Sequence, residues 1–287
     1  NLQGQVTPIY APATVDLDKA DIAQPESILF ASGDNQKVHA FYYPPTSARY
    51  CGDDHELPLV IAMCHGGPTG ATSSGLNLKI QYWTNRGFAV VDINYRGSVG
   101  FGRSYRQALE GAWGIADVED SQCAIEYLAS QQKIDPERCL IRGGSAGGYT
   151  VLSALTFTDT FKAGASLYGI GDLETLAKDT HKFESRYLDS LIGPYPERRD
   201  IYLERSPIHH ADGLNCPVIF LQGLEDKVVP PNQAEMMVKL LKDKGIQVGY
   251  VTFADEGHGF RKANNIIRAM EAELAFYRDV FSLTGKA

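Results

Sequence analysis

The stretch Gly143-Gly144-Ser145-Ala146-Gly147-Gly148 contains Gly-x-Ser-x-Gly, set between an apolar run that reads as a strand, Cys139-Leu140-Ile141, and a run that reads as a helix. A tight strand-to-helix turn crowds the side chains two before and two after its central residue. Glycine at 143 and 147 lets the backbone double back and present Ser145 Oγ to solvent. The helix beginning there aims free backbone N–H groups at the same spot. Such a serine suits nucleophilic attack on an acyl carbon; a plain glycine-rich turn is the duller alternative.

A serine hydroxyl is a weak nucleophile unless an imidazole takes its proton and a carboxylate orients that imidazole, in the chain order Ser, Asp or Glu, His for this kind of turn. The strand-like run 218–222 leads into Gly223-Leu224-Glu225-Asp226-Lys227-Val228-Val229-Pro230, where Asp226 can hold an imidazole and Glu225 competes with it. The strand-like run 250–253 leads into Ala254-Asp255-Glu256-Gly257-His258-Gly259-Phe260, and His258 is the only histidine after position 210. His39 lies in a hairpin, His55 in a polar loop, His181 in an irregular segment and His209-His210 ahead of a strand, all with structural readings. His65 opens His65-Gly66-Gly67-Pro68-Thr69-Gly70, directly after an apolar strand run. A sheet of this kind supplies a second oxyanion donor from that loop, so Gly67 N–H and Ala146 N–H are the expected oxyanion hole. His65 itself either braces the loop or meets substrate.

These loops must sit at the same end of one sheet, and the periodicity predicts such a sheet. Runs at 27–31 and 38–43 flank Ser32-Gly33-Asp34-Asn35 as a β-hairpin, which Pro44-Pro45 ends. Strands at 57–64, 88–93, 138–142, 163–168, 217–222 and 247–253 then alternate with helices at 76–86, 117–132, 146–156, 232–244 and 264–283. The alternation predicts an α/β fold, a mostly parallel central sheet with helices on both faces. Residues 172–212 break the pattern with a polar, aromatic segment holding Phe183, Tyr187, Tyr195 and Tyr202, read as an excursion above the sheet. Residues 1–25 read as an arm or linker and 26–287 as one domain.

Net charge is -8 over 287 residues with no basic run, which excludes the electrostatic footprint of a nucleic-acid or anionic-membrane partner. Hydrophobic residues at 44% and charged residues at 22% fit a globular chain with a sizeable core. The apolar runs fall far short of the ~18 residues of a membrane span. Five cysteines, at 51, 64, 123, 139 and 216, lack paired spacing and suit a reduced, cytoplasmic compartment. No Cys/His zinc spacing appears, and no metal or cofactor is expected. A homo-oligomer is compatible with all of this. Asn1-Leu2-Gln3-Gly4 has no initiator Met and no signal-peptide pattern, and reads as a cut or engineered end.

Six blocks in order identify a resemblance: His65-Gly66-Gly67-Pro68; Asn94-Tyr95-Arg96-Gly97-Ser98 with Gly100-Phe101-Gly102; Trp113-Gly114 leading to Asp117-Val118-Glu119-Asp120; Gly143 to Gly148; the Gly223 to Pro230 loop; and Glu256-Gly257-His258-Gly259-Phe260. Over most of residues 26–284 the chain resembles the catalytic domain of the prolyl oligopeptidase family of serine peptidases. The likeness is nearest to its acylaminoacyl-peptidase and dipeptidyl-aminopeptidase-like branch. The resemblance implies an α/β-hydrolase fold, a catalytic triad of Ser145, Asp226 and His258, and hydrolysis of short peptides through an acyl-enzyme. It favours Asp226 over Glu225, places Arg96 and Asp117 in a structural polar network near the serine turn, and puts Tyr168, Phe183 and Tyr187 at the pocket for the residue before the scissile bond. Core packing explains each of those three equally well taken singly. Members of the family usually carry a β-propeller ahead of the hydrolase, and 287 residues leave no room for one. Two other readings stand beside this one: a carboxylesterase or lipase-like hydrolase with the same triad, and a non-catalytic interaction domain on a hydrolase fold.

Overall fold

A computed structural model describes residues 17–53, 55–179 and 186–283. Strands β1 (Glu26–Ser32) and β2 (Gln36–Tyr43) form the expected antiparallel hairpin, with Asp34 and Asn35 at φ of 54 and 57 in the turn. Asp and Asn tolerate that left-handed region better than most residues. Then follow β3 (Val60–Cys64), α1 (Leu78–Thr84), β4 (Ala89–Asn94), α2 (Arg103–Gln107), α3 (Ala116–Ser130), β5 (Cys139–Gly144), α4 (Ala146–Phe157) and β6 (Ala163–Leu167). The chain continues through α5 (Leu173–Asp179), α6 (Tyr187–Leu191), α7 (Arg199–Glu204), β7 (Val218–Gly223), α8 (Asn232–Asp243), β8 (Val248–Phe253) and α9 (Ala263–Val280).

Among the described residues eight strands make one sheet in the order β1-β2-β4-β3-β5-β6-β7-β8, antiparallel only at the hairpin and where β2 meets β4. Strand side chains alternate between faces, and a parallel sheet buried on both sides needs apolar residues at every position. Val60, Ala62 and Cys64 of β3 therefore pack with α3, α4 and α8, while Ile61 and Met63 pack with α1 and α9. β7 divides the same way, Val218 and Phe220 against Ile219 and Leu221. Parallel strands carry their following loops at one end, so the turns after β3, β5, β7 and β8 gather at the sheet's carboxyl edge.

Some local expectations shift. The first sheet strand after the hairpin starts at Val60 rather than 57, and α1 starts after Asn77, whose Oδ1 caps Lys79 N–H at 3.0 Å. The stretch between β6 and β7, read as irregular, holds short helices among its described residues: α5, α6 and α7 plus a short 3₁₀ turn at Pro207–His210. Each helix is too short to show a 3.6-residue period, which hid them from a periodicity reading. Ala23, within the stretch read as an arm, is buried and donates its N–H to Gln81 Oε1 at 2.8 Å. No helix among the described residues is long and apolar enough to cross a membrane.

Candidate active site

Ser145 sits between β5 and α4 with φ 58 and ψ -123, a strained backbone for a residue with a Cβ. Its N–H is held by Leu167 O of β6 at 2.9 Å. A Cβ at Gly143 would lie 2.9 Å from Cys64 O, and one at Gly147 would lie 2.8 Å from His65 O. The turn can therefore press against the end of β3 only with glycine at both places.

The turns after β7 and β8 bring the other two expected residues to this serine. Asp226 is buried, and its Oδ1 accepts the N–H groups of Val228 and Val229, both at 2.9 Å. Its Oδ2 lies 2.8 Å from His258 Nδ1, and His258 Nε2 lies 2.9 Å from Ser145 Oγ. A carboxylate only accepts, so Nδ1 carries the proton and the Nε2 lone pair faces the serine hydroxyl. Glu225, the competing carboxylate, is exposed. Glu256, which the sequence reading passed over, holds the histidine loop: it is buried and accepts Arg261 N–H, Lys262 N–H and Asn265 Nδ2 at 2.9–3.1 Å. The Asn265 amide and these backbone donors hold its pKa below the usual carboxylate value. A glutamate just before Gly257-His258 was the available signal.

The loop after β3 is tied from several sides. His65 Nδ1 donates to Gly66 O at 2.8 Å, Ser98 Oγ lies 2.7 Å from Nε2, and the ring stacks on Tyr95 at 4.2 Å. Tyr95 Oη reaches both His65 O and Pro68 O at 2.9 Å. A trans peptide carries its C=O and N–H on opposite sides, so turning Gly66 O toward the His65 ring turns Gly67 N–H away from it. Gly67 has φ 127, and a Cβ there would meet Gly70 N at 2.5 Å. Of the two open readings of His65, its contacts are those of a loop brace.

Gly67 and Ala146, the expected oxyanion donors, both border a cavity of about 310 Å³ beside Ser145 and His258. Its far wall is apolar, formed by Trp113, Ile170, Leu176, Tyr187, Leu188 and Val229. Of the three aromatic residues expected to line a pocket, Tyr187 does. Tyr168 does not: with φ 40 at the end of β6, its ring packs edge-on to His258 at 4.9 Å and to Phe260 at 5.5 Å, lying over Gly144 and bracing the imidazole from outside the cavity. Phe183 lies outside the described residues. Trp113, Ile170 and Leu188 come from three separate loops and elements, which no local pattern connects.

Arg96 and Asp117 fall into separate clusters rather than one. Arg96 pairs with Asp120 and Glu119, with Ser32 Oγ donating to Asp120 at 2.6 Å. Asp117 accepts Gly114 N–H at 2.7 Å and Thr150 Oγ1 at 2.5 Å, joining α3 to α4, and burial raises its pKa to about 6.

The sequence model of the prolyl oligopeptidase family matches residues 74–284. Dipeptidyl aminopeptidase BIII of Pseudoxanthomonas mexicana is 33% identical over 271 residues, covering 91% of this chain and 39% of that protein. A crystal structure of puromycin hydrolase superposes with a TM-score of 0.96 at 42% identity, over 99% of this chain and 43% of that one. A Mycobacterium tuberculosis puromycin-hydrolyzing peptidase superposes with a TM-score of 0.93 at 46% identity, over 94% of this chain and 41% of that one. The chain thus spans about two fifths of the length of each of these relatives.

Proposed function

The chain belongs to the prolyl oligopeptidase family, and from that premise we propose that it is the α/β-hydrolase part of a serine peptidase cleaving amide bonds in short peptides through an acyl-enzyme on Ser145. The observation that carries this reading is the unbroken line from Asp226 through His258 to Ser145, with both hydrogen bonds under 3 Å. His258 Nε2 takes the Ser145 proton as Oγ bonds to the acyl carbon, and the oxyanion rests on the N–H groups of Gly67 and Ala146. His258 then gives that proton to the leaving amine as the C–N bond breaks. Water, deprotonated by the same nitrogen, frees the acyl group. Asp226 keeps the imidazole in the required tautomer and faces the positive charge it gains.

The cavity sets the substrate class. Among the described residues its wall brings no Asp, Glu, Lys or Arg side chain to the far end, so a charged side chain there would lose water without gaining a partner. The residue before the scissile bond is therefore apolar or aromatic. Two of the structural relatives are named for hydrolysing puromycin. Cysteines 51, 64, 123, 139 and 216 are all free, as suits a reducing, cytoplasmic setting.

A fluorophosphonate probe together with a panel of aminoacyl amides tests the reading. The probe is expected to label Ser145 and not the Ser145→Ala variant, which should lose at least about 10⁴ in turnover. Phe and Leu amides should exceed Lys and Glu amides by more than roughly tenfold in kcat/KM, since the wrong charge must be buried unpaired. No labelling of the folded protein would sink the hydrolase reading. Faster cleavage of Lys or Glu amides would sink the pocket assignment, and turnover of short acyl esters without amides would replace the peptidase with an esterase.

A further inference from the structure

Tyr187 takes part in two things at once. Its ring forms part of the cavity wall, and its hydroxyl lies 2.9 Å from Thr69 Oγ1. Thr69 is two residues beyond Gly67, in the loop that offers the oxyanion donor. The ties before and after it run into the body of the domain: His65 and Pro68 to Tyr95, Gly70 O to Val99 N–H at 3.0 Å, and Thr72 to Asn94 and Asp92. Among the described residues, the Thr69 to Tyr187 hydrogen bond is the one joining this loop to the cavity wall. Helix α6, which begins at Tyr187, is anchored at its other end, where Ser190 O accepts Gly111 N–H at 2.8 Å and Leu191 O accepts Trp113 N–H at 3.3 Å. Tyr187, half-buried in the first turn of that short helix, packs on the core with part of its ring and borders the cavity with the rest.

Resting on the hydrolase reading above, we propose that Tyr187 and Thr69 are positioning residues that couple filling of the cavity to the placement of Gly67 N–H. A side chain that fills the cavity packs on the Tyr187 ring and restricts it. The hydroxyl carries that restriction to Thr69, and the loop holds its donor on the oxyanion. A small side chain leaves the cavity side of the ring uncovered and the donor less firmly placed. An oxyanion donor acts in the transition state and not in ground-state binding, so the size of the residue before the scissile bond is read in kcat more than in KM.

The test is steady-state kinetics of the full-length protein on Ala, Leu and Phe amides of one leaving group. In the wild type kcat should rise from Ala to Phe. Tyr187→Phe keeps the ring and loses only the bond to Thr69. Its kcat on the Phe amide should fall roughly three- to tenfold, the range one net hydrogen bond supplies, with a clearly smaller fall on the Ala amide and the KM order kept. Thr69→Val should do the same, Thr69→Ser should restore the wild-type pattern, and the double variant should be no worse than either single one because both remove the same bond. Equal losses on all three amides, a change confined to KM, or additive losses in the double variant would overturn the coupling. If Tyr187→Phe does not fold, the Thr69→Val and Thr69→Ser pair decides by the same criteria. Phosphonate labelling of wild-type Ser145 separates the two claims: an unlabelled protein defeats the hydrolase reading, whereas a labelled protein with uncoupled kinetics defeats this inference alone.

Discussion

At Asp226 one oxygen of the carboxylate takes two backbone N–H groups and the other takes the imidazole, so the residue both shapes its loop and selects the His258 tautomer. Asp226→Asn separates the two. The amide oxygen can keep the Val228 and Val229 donors, while the NH₂ group turns toward His258 and favours the tautomer with its proton on Nε2. Turnover should fall by up to about 10⁴ with the melting temperature nearly unchanged, measured by amide hydrolysis beside thermal unfolding; near-normal activity would mean that another group orients the histidine. Residue types made this site legible. Serine between glycines, aspartate after a strand and a histidine in a glycine loop each state a role in their immediate neighbours. For Tyr168 the neighbours say only that it ends a strand. Its φ of 40, which turns the ring onto His258 instead of into the cavity, is decided by the packing around it.

At the scale of elements, β4 holds the oxyanion loop as much as the loop's own glycines do. Thr72 N–H donates to Asn94 Oδ1 at 2.8 Å, Asn94 Nδ2 returns a bond to Thr72 O, and Thr72 Oγ1 donates to Asp92. Asp92 is buried, and although Thr72 and the Arg142 charge favour its ionised form, burial outweighs them and raises its pKa from 3.8 to about 6. Between about pH 6 and pH 4 the folded chain therefore binds a proton there that the unfolded chain does not. Stability from this group rises as pH falls through that window, and above it the charged carboxylate is a cost. The stability of the wild type relative to Asp92→Asn should accordingly increase on going from pH 7 toward pH 4, by on the order of 2–3 kcal/mol if Asp92 acts alone. Denaturant titrations of both proteins at several pH values check this, and a pH-independent difference would refute it. The long strands and helices of this layer were readable from period and length. Helices α2, α5, α6 and α7 were not, because such short segments hold few turns and depend on tertiary contacts for their stability; α1, equally short, was legible only as one step of the strand–helix alternation.

Across the whole molecule, helices on both faces lock the sheet whose edge carries the site. On the α9 face the lock includes a buried ion pair: Arg142 of β5, three residues before Ser145, donates to both oxygens of Glu273, which also accepts Tyr277 Oη at 2.9 Å. Removing one partner strands the other in the core. Arg142→Met should cost about 3–5 kcal/mol, whereas Arg142→Met with Glu273→Leu should recover most of that loss, read from urea midpoints of the two variants; equal destabilisation of both would mean that the pair is not the source. The sequence by itself determined the α/β layering, the order of the chemical residues and the glycines that let Ser145 stand proud, since each is written within a few positions of the chain. Only the tertiary structure decided the strand order, the cavity wall and the bond from Tyr187 to Thr69. Those join residues up to 118 positions apart, and contacts at that range are set by how completed elements pack rather than by any local pattern.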